Sequence, residues 1–168
     1  MREICQFDVF GMPAPQGSKK FVGTNKAGSG ILVESSKKVR PWRHDVKVTG
    51  LEVIRSASTQ FPEYASQYPI AGPLWVSMVF TMPKPASAPK RRKTWPDKKP
   101  DLSKLARSTE DALVDAGLIL DDSRIVEYVR LAKVFPGEDP QSLSSPGVSI
   151  TIYGQDEDVA ECLRRSEG

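Results

Sequence analysis

Histidine is almost absent from this chain: His44 stands alone among 168 residues. Without a second histidine there is no His-Glu-x-x-His helix and no His/Cys cluster, which excludes a histidine-built metal centre. Cysteine is equally scarce. Cys5 and Cys162 lie near opposite ends with no metal-ligand spacing, as expected of two reduced thiols in a cytoplasm. No apolar run approaches the ~18 residues of a membrane span. The opening Met-Arg-Glu-Ile-Cys-Gln has no apolar stretch behind it, so no secretory signal is expected. A Gly-x-Ser-x-Gly elbow and a phosphate-cradling glycine loop are also missing. If the chain is an enzyme, carboxylates and basic groups must carry the chemistry.

What is present is segregated charge. The net charge is only +3, but residues 1–50 hold nine Lys/Arg against four Asp/Glu. Residues 83–107 hold nine against two, whereas residues 108–130 hold two against six. A basic stretch abutting an acidic cluster suits a polyanion bound beside carboxylates that a cation neutralises. A solvated loop followed by a solvated helix gives the same pattern.

Hydrophobic periodicity predicts an α+β fold: a mixed β-sheet with two main helices packed on it, in the order β-β-α-β-α-β-β. Residues 4–10 alternate as a strand and 31–33 form a short one, so the first 34 residues read as a hairpin with a long connection. A helix is expected from Val39 to Ala57, with Pro41 in its first turn and Val46, Leu51, Val53 and Ile54 on its apolar face. A central strand follows from Leu74. The proline-rich segment Pro83–Pro100 carries seven basic residues and Trp95, and is too long for a mere connection.

Asp101 to Ala116 reads as an amphipathic helix, with Leu102, Leu105, Ala106, Ala112, Leu113 and Ala116 on one face. Ser103, Arg107 and Glu110 line the opposite face. Gly117 stops it, and strands follow over Arg124–Val134 and Val148–Tyr153. A single domain, 1–153, and a polar tail, 154–168, account for the chain.

Asp101 at the helix start and Asp121-Asp122 in the return turn are the acids of interest. Taken locally, they are a helix N-cap and a turn. A helix of this length separates them by about 24 Å along its axis, so chain direction alone does not assemble a site.

The stretch Pro-Asp101-Leu-Ser103-Lys104-Leu105-Ala-Arg107-Ser-Thr-Glu110-Asp111-Ala112-Leu113, then Gly117 and Asp121-Asp122-Ser123-Arg124, resembles the core motif of the RusA family of Holliday-junction resolvases. That motif is a basic run, Asp-x-Asp-Asn-x-x-Lys-x-x-x-Asp-Ala-Leu and a later Asp-Asp. The opening Gly-Met-Pro-Ala-Pro-Gln-Gly-Ser-Lys-Lys and the Trp42-Arg43 helix extend the resemblance over residues 4 to 153.

The resemblance implies a dimeric endonuclease that cuts four-way DNA junctions with Mg²⁺, or Mn²⁺. It places metal-binding carboxylates at Asp101 and Asp122, with Ser103 standing where the family usually has aspartate. Arg107 stands where the family has lysine: the charge is kept, but not the capacity to transfer a proton at neutral pH. Asp121, Glu110 and Asp111 are further ligand candidates, and Glu110 is equally placed to pair with Arg107.

The DNA-binding candidates are Lys19, Lys20, Lys37, Lys38, Arg40, Arg43, Lys90, Arg91, Arg92, Lys93, Lys98, Lys99 and Lys104. Trp95 either stacks on an unpaired base or anchors its loop. A C2 homodimer acting on branched DNA, away from membranes, is the expected state. A nuclease of other branched DNA, and a catalytically weak junction-binding module, are the rival readings.

Overall fold

The computed structural model describes residues 1–17, 19–24, 29–34, 37–62, 67–89 and 91–155. The elements are β1 (Arg2–Phe10), β2 (Lys19–Thr24), β3 (Gly30–Glu34), α1 (Val39–Gln60), β4 (Leu74–Thr81), α2 (Leu102–Asp115), β5 (Ile125–Val134) and β6 (Gly147–Gly154). Four strands make a mixed sheet in the order β1-β6-β4-β5, in which only β4 and β5 run parallel. The α+β class and the two helices on one sheet are as the periodicity predicts.

The amino-terminal hairpin is a correction. β1 pairs with β6, whereas β3 pairs with an additional strand, β2, in a separate two-stranded sheet. Alternation marks a strand but does not name its partner. β6 is apolar on its helix-facing side through Val148, Ile150 and Ile152, and it covers β1 more completely than the short β3 can.

Leu74, Val76, Met78 and Phe80 of β4 join those β6 residues in a single core beneath both helices. α1 buries Val39, Trp42, Val46 and Gly50, a stripe with helical spacing. Leu51, expected on that face, is 47% exposed, because Trp42 and Gly50 move the buried stripe away from it. Trp42 packs against Phe80 with ring centroids 6.5 Å apart and donates its Nε1–H to Thr109 Oγ1 of α2 at 3.2 Å. At Gly50 an added Cβ would lie 3.0 Å from the Cβ of Ala116, so a bare backbone lets the two helices approach.

β5 departs from strict alternation. Against β4 its register shifts twice, leaving Val126 and Val129 as extra residues. Each shift reverses which neighbours face the helices. As a result Tyr128, Leu131 and Lys133 pair with the core-facing Val76, Met78 and Phe80.

Candidate active site

α2 begins at Asp101, which holds the N-cap position in an extended conformation but makes no capping hydrogen bond with its side chain. Its carboxylate instead pairs with Lys104 Nζ at 3.3 Å, both groups about half exposed. One face of α2 is apolar, and its buried hydroxyls are satisfied. Ser108 donates to the Ala14 carbonyl at 2.7 Å and Thr109 to that of Leu105 at 2.9 Å.

Glu110 is the exception on this helix. It is 8% exposed, although the helical wheel places it on the polar face with Ser103 and Arg107. That expectation fails because β5 runs back over this side of α2. The Tyr128 hydroxyl closes over the carboxylate and donates a short hydrogen bond to Oε1. Burial raises the Glu110 carboxyl above the ordinary carboxylate range; the Tyr128 bond and Arg107 oppose the rise, while Asp122 and Asp111 add to it. Burial also raises Tyr128, and its bond to Glu110 and the nearby Asp122 push it further.

Asp122 is thus within electrostatic reach of Glu110 and Tyr128. The turn after α2 folds back along the helix. Leu118 N–H bonds to Leu113 O at 3.0 Å, while Ile70 N–H donates to Leu118 O and Leu120 N–H to Ile70 O, tying the return to the strand entrance. Asp121 closes the turn by accepting from Ser123 N–H at 2.9 Å, and its pKa is lowered first by the Ser123 side-chain hydroxyl and then by this N–H. The turn reading of Asp121 is therefore what the backbone adopts. Asp101 remains about 14 Å along the helix axis from Glu110, nine residues at 1.5 Å each. The fold brings together Arg107, Glu110, Asp111, Asp122 and Tyr128, and leaves Asp101 and the exposed Ser103 toward the other end of α2.

Arg43 and Asp111 face each other at 3.2 Å, and Arg43 also holds Asp115 at 2.7 Å. Gln16 donates to the same Asp111 oxygen from the loop before β2, at 3.0 Å. These bonds clamp α1, α2 and that loop together.

The remaining basic candidates distribute as follows. Lys37, Lys38, Arg40, Arg91, Arg92, Lys93, Lys98, Lys99 and Lys104 are exposed, as is Trp95. Lys19 and Lys20 lie on β2, where only the backbone is described, and Lys90 falls outside the described residues. Lys38 converges with Arg92, Lys93, Lys98 and Lys99 on one cleft of about 780 Å³. The segment 83–100 forming its wall is held at fixed points. Lys84 and the Thr94 N–H bind Glu138, and Lys133 Nζ donates to the carbonyls of Lys98 at 2.9 Å and Pro100 at 2.8 Å.

Two of these groups gave no signal in the sequence. Tyr128 reads as an ordinary strand aromatic, since the register shift that aims it depends on β4, and Lys133 as an ordinary strand cation, since the carbonyls it binds lie 33 and 35 residues away. Among the described residues no three acids or thiols lie within reach of one ion. Glu110 and Asp122 interact electrostatically, and both offer carboxylate oxygens, the donor type that hard cations take. No helix among the described residues is long and apolar enough to cross a membrane.

A search of curated proteins finds no match. A family model described as Endodeoxyribonuclease RusA matches residues 11–153, a span that takes in both helices, the basic cleft and the Glu110–Asp122 pair. On that match the chain belongs to the RusA family of endodeoxyribonucleases, hydrolases of phosphodiester bonds in DNA.

Proposed function

We propose that the protein resolves four-way DNA junctions as a divalent-metal-dependent homodimer, each subunit nicking one of two opposed strands. The observation that carries this reading is the electrostatic interaction of Asp122 and Arg107 with the buried Glu110, on a helix whose start adjoins a basic cleft. Asp122 and Glu110 would hold Mg²⁺ or Mn²⁺, with Asp121 adjacent, and Asp101 would act from the other end of α2. Such an ion supplies Lewis-acid activation of water and neutralises charge on the scissile phosphate.

The side chains contribute the rest. Arg107 stabilises charge developing on the phosphoryl oxygens; as a permanent cation it does so at any working pH. Tyr128 fixes Glu110 through Oε1 and leaves Oε2 to accept a proton or an ion. Asp111 stays committed to Arg43 and Gln16, so it orients α2 rather than ligating. The exposed lysines and arginines engage phosphates and position the junction without reading its sequence. Two nicks at a nearly two-fold substrate call for two sites, hence a C2 dimer.

Cleavage of a synthetic four-way junction against linear duplex, with Mg²⁺, Mn²⁺ or EDTA, tests this. Paired symmetric nicks that need metal and disappear in Asp122→Asn support it. Equal cutting of flaps or other branched substrates would favour a broader structure-selective nuclease. Ser103 at a family carboxylate position favours a second reading, a junction binder of weak activity. Tight binding with no incision under any metal, reversed by Ser103→Asp, would support that reading instead.

A further inference from the structure

The cleft between the 83–100 segment and the loop after β1 has a composition that phosphate contacts alone do not explain. Its floor and walls are apolar, with Met12, Met82, Phe135 and several prolines, while its rim is cationic. Among its described lining residues five are cations, Lys38, Arg92, Lys93, Lys98 and Lys99, and one, Asp97, is an acid. Trp95 belongs to this lining, and it is 64% exposed. A tryptophan that anchored its loop would be buried, as Trp42 is at 1%. Lys93 Nζ stands 5.6 Å from the Trp95 ring centroid, a cation–π contact that orients the indole without burying it.

The wall is built rather than loose. Glu138 takes Lys84 and the Thr94 backbone on one side of Trp95, and Lys133 takes two carbonyls on the other. Asp97 N–H closes a turn onto the Trp95 carbonyl at 2.9 Å. An aromatic platform in an apolar trough with a cationic rim is the chemistry that receives unpaired nucleotides: bases stack and phosphates meet the rim. A duplex keeps its base faces stacked internally and cannot use the indole in this way.

We propose that this cleft binds a short run of unpaired DNA nucleotides, with Trp95 as the stacking platform and Lys38, Lys98 and Lys99 engaging the flanking phosphates. Pro100 lines the cleft immediately before Asp101, so a strand lying in it leads to the start of α2. The proposal rests on the reading of branched DNA as substrate, and assigns to this cleft the strand that opens at the branch point.

The probe is fluorescein-labelled hexathymidylate at low salt, read by anisotropy and by quenching of tryptophan emission. Binding to the parent protein with quenching is expected. Trp95→Ala should weaken it about tenfold, one base-stacking contact's worth, and abolish the quenching, while Trp95→Phe restores most of the affinity. Unchanged thermal melting checks the fold. Lys98→Gln with Lys99→Gln should weaken binding yet keep the quenching. Equal affinity of the parent and Trp95→Ala, or no binding of hexathymidylate, overturns the proposal. Junction incision on the same samples separates the two claims. Incision without hexathymidylate binding removes the cleft and leaves the resolvase. Quenching through Trp95 without incision under any metal keeps the cleft and removes the resolvase.

Discussion

Glu110 is a carboxylate that the fold has taken out of water without giving it a full counter-charge. Its partner is a neutral phenol, and its charged neighbours are two like carboxylates and one arginine. The proton therefore binds more tightly in the folded state than in the unfolded one. In the interval between the ordinary carboxylate value and the raised one, the native state holds more protons, so stability falls as pH rises through that interval. Glu110→Gln removes this dependence. Its melting temperature should exceed the parent's at neutral pH and converge with it as pH falls to the ordinary carboxylate range, which thermal melts across pH would show. Tyr128→Phe should cost about 1 kcal/mol of stability in denaturant titration, the net worth of one hydrogen bond. If Tyr128 positions Glu110 for catalysis, this variant also slows junction incision while leaving junction affinity unchanged.

Among the elements, β5 does the most to position function. Its first register shift turns Tyr128 toward Glu110, and the second restores the starting phase, so that Lys133 faces the carbonyls that end the basic segment. Strict alternation from Ile125 would have put Glu127 and Val129 on the helix side; Glu127 instead accepts from Trp75 Nε1 at 3.1 Å. Lys133→Met should leave the sheet intact and release one end of the 83–100 wall. Trypsin should then cut that segment faster, as expected where local opening becomes easier. The two helices are joined more by packing than by charge. Arg43→Ala breaks a half-exposed clamp and should cost under about 1 kcal/mol. Trp42→Ala empties a buried site and should cost about 3–5 kcal/mol. The ratio of the two in denaturant unfolding checks this order.

At the scale of the whole molecule, charge is divided between a cationic cleft and the acids of α2 and its return turn. Association with a polyanion then depends on counterion release, about −0.9 in the slope of log affinity against log salt for each phosphate neutralised. Replacing both Lys98 and Lys99 with glutamine should flatten the slope measured on a four-way junction by roughly 2. Removing Asp122 should not flatten it, because a carboxylate releases no cation from DNA phosphates. That contrast separates residues that position DNA from those proposed to act on it.

Much of this architecture is local, and what is local is legible in the chain. The apolar spacing of α2, its stop at Gly117, the Asp121 turn and the crowding of cations in residues 83–100 follow from neighbours a few residues apart. The α+β class and the family motif were readable for the same reason. Partnership over long separations was not. Pairing of β1 with β6 rather than β3 depends on which apolar faces meet across the whole sheet. The burial of Glu110 depends on a phenol eighteen residues away, aimed by a register shift against a third strand. Asp122 reaches Glu110 because the return turn folds back along α2, a path that helix length alone does not contain. Residue type and spacing determined which chemistry the chain carries. The tertiary structure decided which of those groups share a site, because hydrophobic burial and strand register bring distant segments together without regard to their order in sequence.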